Sequence, residues 1–180
     1  MKSVSITIPC RNEEHYIGKC LQSIVDCDFD KSLLSVFVCD GTSTDNTQAI
    51  IQEFIKKYPF IHFIENTKQT TPFALNLGLK ANSADIKIIL GAHAEIYPDY
   101  INKCIEAFKI NEKLGCVGGI IENVYENDTA EIIGKAMKGG IYLFLNSPAR
   151  KADPVWGSTN FPGLGANDSL LFWFLLEKSG

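Results

Sequence analysis

Residues 4–25 read VSITIPCRNEEHYIGKCLQSIV, and this stretch decides the fold class. Val4 to Ile8 is a short β-branched run closed by Pro9, the pattern of a buried strand. Ile17, Cys20, Leu21, Ile24 and Val25 then fall at helical spacing, which predicts a helix over Glu13 to Val25. A strand, a short polar loop and a helix are the opening of a βα unit.

The pattern repeats outward along the chain. Leu33 to Cys39 is a second apolar run that ends at Asp40. The turn Gly41-Thr42-Ser43-Thr44-Asp45 follows, rich in capping residues, with Asp45 placed to cap the next helix. Ala49, Ile50, Phe54 and Ile55 mark that helix, and Ile61 to Ile64 a third strand. Thr71-Pro72 opens another helix, with proline at its first position. Ile86 to Leu90 is a fourth strand and leads into GAHAEIYPD at 91–99. Pro98 starts a helix through Ile110, and Cys116 to Ile121 reads as a fifth strand. Continuous apolar strands alternating with helices predict an α/β fold with a mainly parallel sheet and helices on both faces. Beyond Tyr125 the pattern weakens. A glycine-interrupted helix is expected over 129–145, a loop or flap over 146–167, and a last helix over Asp168 to Lys178.

Composition bounds the function. The 180 residues suit one domain, and 46% hydrophobic with 21% charged residues is ordinary for a globular chain. Net charge is −4, without a Lys/Arg stripe, so no nucleic-acid partner is expected. Six cysteines without a CxxC pair read as reduced core thiols of a cytosolic protein, not as a zinc site. The first ten residues enter a strand directly, so no signal peptide is expected. No apolar run is long enough to span a bilayer.

In an open parallel sheet, ligands bind beyond the carboxyl ends of the strands. Pro9-Cys10-Arg11-Asn12-Glu13 follow the first strand, Asp40-Gly41 the second, and His93 with Glu95 the fourth. A carboxylate at the position of Asp40 suits either the hydrogen-bond donors of a base or ribose, or duty as a cap for the turn that follows it. No GxGxxG follows the first strand and no P-loop is present, so phosphates need another partner. His93 and Glu95 could hold a divalent cation that bridges a diphosphate.

Four segments carry a resemblance. They are ITIPCRNEEHYIGKCLQSI, VCDGTSTDNT, NTKQTTPFALNLG with Asp85 and its strand, and LGAHAEIYPDYI. In this order and spacing they resemble family 2 glycosyltransferases of the GT-A fold. ALNLG followed by AHAExxPDY is most similar to the succinoglycan-type exopolysaccharide subgroup. The resemblance covers residues 3–121, and Gly165-Ala166-Asn167-Asp168 looks like the family's acidic motif.

The resemblance implies a nucleotide-sugar-binding core at 1–125 and an incomplete acceptor-side segment at 126–180, truncated at Gly180. Pro9, Asn12 and Glu13 would line the donor pocket. Asp40 would read the nucleobase, and Lys68 would approach the donor phosphates. His93, with Glu95, would hold Mn²⁺ or Mg²⁺ together with the nucleotide sugar. Asp168 would be the general base of an inverting transfer to a glycan or lipid-linked acceptor in bacterial polysaccharide synthesis. The implied location is the cytoplasm, at the inner face of the membrane, with membrane contact only through further C-terminal segments. One position departs from the family. The first acidic residue of its DXD motif is Gly91 here, which leaves open a catalytically weak or inactive nucleotide-sugar-binding domain. A receiver-like module lacks its acidic pair after the first strand, and a nucleotidyltransferase lacks its basic glycine-rich loop.

Overall fold

A computed structural model describes residues 2–110, 115–117 and the backbone of 174–175. All of them belong to one compact unit, Met1–Gly119 with Leu170–Gly180. The sheet has the order β3-β2-β1-β4-β5. Strand β1 (Val4–Cys10) pairs in parallel with β2 (Leu34–Asp40) over its whole length, from Val4↔Leu34 to Cys10↔Asp40. On its other side it pairs in parallel with β4 (Ile86–Ile89), but only as far as Thr7↔Ile89. Strand β3 (Ile61–Glu65) pairs in parallel with β2. The expected parallel α/β sheet is therefore present, and its carboxyl ends share one edge.

The helices cover both faces. Val4, Ile6, Ile8 and Cys10 point to one side of β1. There they pack with α1 (Ile17–Val25), with Ile51 of α2 (Thr47–Lys57), and with Ile101 and Cys104 of α4 (Tyr100–Ile110). On the other side, Phe37 and Cys39 of β2 meet Ala74 and Leu77 of α3 (Thr71–Lys80). Each fully buried Ile or Leu in these layers contributes about 1.5–3 kcal/mol.

The first strand departs from the continuous apolar reading. Ser5 and Thr7 alternate with its aliphatic residues, yet both are fully buried. What alternates is side-chain size, not exposure. The small face of β1 accepts α3 at very close range. A Cβ built at Gly78 would lie 2.3 Å from Thr7 Cγ2 and 2.9 Å from its Cβ. Neither hydroxyl, Ser5 Oγ nor Thr7 Oγ1, has a hydrogen-bond partner among the described residues.

Three other expectations are corrected. The helix expected from Glu13 begins at Ile17, after a turn in which the Ile17 N–H meets Glu13 O at 2.9 Å. Cys116 and Val117 are not strand. Within the expected helix over 168–178, Phe174–Leu175 form β5, antiparallel to β4 through Ile88↔Phe174 and Lys87↔Leu175. The outer edge of β4 offers unpaired N–H and C=O groups, and an aromatic, apolar segment can satisfy them better as strand than as helix. The expected helix over 129–145, the flap over 146–167, the boundary at residue 125 and Asp168 lie outside the described residues. Among the described residues, no helix is long and apolar enough to cross a membrane.

The cysteines separate into two groups. All six are free; Cys10, Cys20, Cys27, Cys39 and Cys104 are buried, and Cys116 is exposed, against the expectation of a core thiol. Burial is the main force on Cys20, pushed up to about 12, and on Cys39, pushed up to about 11. Such thiols carry almost no thiolate at neutral pH and are poor nucleophiles. Iodoacetamide at pH 8 should therefore modify the folded chain first at Cys116, with the other five labelled only on unfolding. Peptide mass mapping that finds Cys20 or Cys39 alkylated at the same rate would contradict this burial.

Candidate functional site

The site is the edge where β1, β2 and β4 end. Beyond Thr7, β1 has no β4 partner, so the missing N–H of Pro9 forfeits no ladder bond. The chain then turns through Asn12, whose φ of 56° is left-handed, a region asparagine tolerates better than most residues. From there the β1–α1 loop is laced to the β2–α2 loop. Asn12 N–H donates to Ser43 Oγ at 2.9 Å, and Asn12 Oδ1 accepts from Thr44 N–H at 2.9 Å. Glu13 N–H donates to Thr47 Oγ1 at 2.7 Å, and Glu14 N–H to Asp45 Oδ2 at 3.2 Å. Glu14 Oε2 in turn accepts from the backbone and side-chain nitrogens of Asn46, at 3.0 and 2.9 Å.

The N-cap position of α2 is Asn46; Asp45, one residue before it, accepts from the first helical N–H, that of Thr47, at 3.0 Å. Partial desolvation raises its pKa, but the hydrogen bonds from Thr47 and Glu14 outweigh it and hold the carboxyl below its ordinary range. At the start of α2, Thr47 N–H is thus satisfied from its own loop and Asn46 N–H from across, by Glu14.

Asp40 is 0% exposed. Its Oδ1 accepts from Ser43 Oγ and from the Cys10 thiol at 3.7 Å; its Oδ2 accepts from Ser43 N–H at 2.9 Å and Gln48 Nε2 at 2.6 Å. Burial first, and then the Asp40 carboxylate, push the Cys10 thiol far above its usual range. The backbone of Asp40 reaches the third loop, its carbonyl accepting from Asn66 N–H at 2.7 Å. Asn66 is buried and donates through Nδ2 to Thr70 O at 3.0 Å. Gln69 Nε2 crosses to Thr42 Oγ1 at 2.5 Å, and both residues have φ of 55°. Lys68 stands exposed on this loop.

His93 lies in the loop after β4, and its Nδ1 stands 3.5 Å from Glu13 Oε1. The imidazole also lies over Gly91, where a built Cβ would meet Nε2 at 3.7 Å. Beneath them, the Cys20 thiol points at Gly91 O, 3.6 Å away. Glu95 is exposed. The carboxylate that stands beside His93 is therefore that of Glu13, 80 positions earlier. Among the described residues, no three His, Cys, Asp or Glu side chains converge as a metal cluster.

Of the residues singled out in the sequence, Pro9, Asn12, Glu13, Asp40 and His93 meet at one edge, with Lys68 and Glu95 on its rim loops. Sequence reasoning missed Ser43, Thr47 and Gln48 as partners of that edge. The first two were legible as capping residues, whereas Gln48 carried no signal.

Residues 5–161 match Glycosyl transferase family 2. A dolichyl N-acetyl-alpha-D-glucosaminyl phosphate 3-beta-D-2,3-diacetamido-2,3-dideoxy-beta-D-glucuronosyltransferase of Methanococcus voltae is 41% identical over 73% of the chain and 43% of its own length. A poly-beta-1,6-N-acetyl-D-glucosamine synthase of Staphylococcus epidermidis is 31% identical over 75% of the chain and 32% of its own. The chain thus spans less than half the length of these relatives. Among solved structures, the mannosyltransferase PcManGT from Pyrobaculum calidifontis, in complex with GDP-Man and Mn²⁺, superposes with a TM-score of 0.62 at 24% identity. That match covers 67% of the chain and 36% of the enzyme. The sheet order and these matches agree: the chain belongs to glycosyltransferase family 2 and has the GT-A fold.

Proposed function

We propose that this edge binds a nucleotide diphosphate sugar and that the whole protein transfers the sugar, with inversion, to a glycan or lipid-linked acceptor. The observation that carries the reading is the lacing of the loops after β1 and β2 around Asp40, with His93 beside Glu13 at the same edge. In this reading Asn12 and Glu13, at the rim, contact the donor, and Lys68 approaches its phosphates. Asp168, outside the described residues, takes the proton of the acceptor hydroxyl. The acceptor oxygen forms its bond to the anomeric carbon as the bond to the diphosphate breaks on the opposite face. The names of the relatives support glycan synthesis as the setting. The AHAExxPDY motif supports the succinoglycan-type exopolysaccharide subgroup, at the cytoplasmic face of the membrane.

A cation fits this edge only as a shared ligand. His93 and Glu13 offer one nitrogen and one carboxylate donor side by side, Glu95 lies two residues from His93, and among the described residues too few protein donors converge to fill the shell of a hard cation. Mn²⁺ or Mg²⁺ would be held by His93 with Glu13 or Glu95, and when bound it would neutralise charge on the departing diphosphate. The Mn²⁺ in the complex of the Pyrobaculum mannosyltransferase supports this reading. The second reading, a nucleotide-sugar-binding domain without turnover, is favoured by one observation, the absence of a carboxylate at Gly91.

Calorimetric titration of UDP-, GDP- and dTDP-sugars with and without Mn²⁺ tests the proposal. One of them is expected to bind about 10-fold more tightly with Mn²⁺, and Mn²⁺ equally more tightly with the nucleotide, because coupling is reciprocal. Gly91→Asp should fit, since its Cβ would meet only ordinary contacts and its φ is not left-handed. That variant should strengthen the coupling. Absence of binding by every nucleotide sugar would refute the donor site, and binding indifferent to Mn²⁺ would leave His93 a structural residue.

A further inference from the structure

The carboxylate expected to read the nucleobase has no open acceptor position. A carboxylate offers about four lone-pair sites. Those of Asp40 are taken by Cys10 Sγ, Ser43 Oγ, Ser43 N–H and Gln48 Nε2, and the residue is fully buried. A base that reaches Asp40 must therefore displace one of these donors.

The four differ in how easily they leave. Ser43 N–H is backbone and closes a tight turn on Asp40. Ser43 Oγ also accepts from Asn12 N–H, so moving it would open both loops at once. Cys10 is fixed in β1, and its thiol is a weak donor. Gln48 is different: it reaches Oδ2 from the second residue of α2, is only partly buried, and can swing away by side-chain rotation with no movement of backbone. Its amide N–H is also the same kind of donor as the imide N3–H of uracil or the lactam N1–H of guanine. Exchange of one for the other leaves the buried carboxylate with the same number of hydrogen bonds.

We infer that Gln48 is a gate on the base-reading carboxylate, its side-chain amide standing in for the base N–H until the donor arrives. The inference rests on the donor-site reading above. It makes Gln48 a specificity-determining residue. A base that presents an N–H to Oδ2 can replace it, and one that does not leaves the gate shut. The apparent affinity for the nucleotide is lowered by the small fraction of molecules in which Gln48 is displaced.

The test is calorimetric titration of the chain, Gln48→Ala and Gln48→Met with UDP and with its N3-methylated analogue, which lacks the imide N–H. GDP and its N1-methylated analogue serve as the purine pair. Both variants are expected to bind the unmethylated nucleotide about 3–10-fold more tightly than the parent, with no gain for the methylated one. Gln48→Met keeps the length of the side chain and covers the case in which Gln48→Ala does not fold. Equal or weaker binding by the variants would overturn the gate, as would an equal gain for methylated and unmethylated ligands. If neither UDP nor GDP binds any of the three proteins, the donor-site reading itself fails, an outcome distinct from a parent that binds while its variants gain nothing.

Discussion

Asp40→Ala is expected to destabilise the fold by about 3 kcal/mol and to abolish detectable nucleotide binding. The carboxylate is completely enclosed and accepts from Cys10, twice from Ser43, and from Gln48. Alanine removes every acceptor at once, and a buried donor left unpaired costs about 1–3 kcal/mol. The loss is not local. Ser43 also receives Asn12 N–H, so release of Ser43 loosens the loop that carries Asn12 and Glu13. Urea denaturation without ligand reads the stability term, and titration with UDP or GDP well below the transition reads the binding term. A variant within about 0.5 kcal/mol of the parent would mean that Asp40 does not organise these loops, since changes that small are typical of surface sites.

Gly78→Ala is expected to destabilise by about 2–3 kcal/mol, against the usual preference of a helix for alanine. That preference favours alanine by about 1 kcal/mol. Here the new methyl would sit 2.3 Å from Thr7 Cγ2, 2.6 Å from Oγ1 and 2.9 Å from Cβ. Thr7 is β-branched and fully buried in the central strand, so it cannot rotate away. Helix α3 must lift off the sheet, an overpacking cost of typically 1–3 kcal/mol or more. Thr7→Ala combined with Gly78→Ala removes two of the three clashing atoms and should recover part of the loss. Denaturation midpoints of the two single variants and the double variant give the coupling, and strict additivity would show that Thr7 is not the obstacle.

The βα rhythm was legible because each strand and helix carries its own periodicity. Val4–Ile8 and Ile17–Val25 announce themselves, and the position of Asp40 and His93 after strands follows from the alternation. The start of α1 was not legible. Glu13 and Glu14 look like first-turn residues, but their N–H groups are satisfied by Thr47 and Asp45, more than thirty residues away. Such pairs are products of the sheet order and leave no local trace. The same holds for Glu13 beside His93, where the sequence pointed to the nearer Glu95. The place of Asp40 was readable, and Ser43 stood in a turn rich in capping residues, but Gln48 was not legible as a partner of Asp40, because it looks like any polar residue on a helix.

The place of β1 at the centre of the sheet also has a consequence in time. Its partner β4 lies far along the chain, and the two are tied at their start by Ser3, whose N–H and Oγ both meet Asp85 Oδ2 at 2.8 Å, 82 residues away. During synthesis at roughly 5–20 residues per second, β1 pairs with β2 early but keeps its other side bare for on the order of 4–16 s until β4 emerges. Through that interval the nascent chain displays Ile6 and Ile8 on a strand with an open flank, a template for pairing with a neighbouring polypeptide.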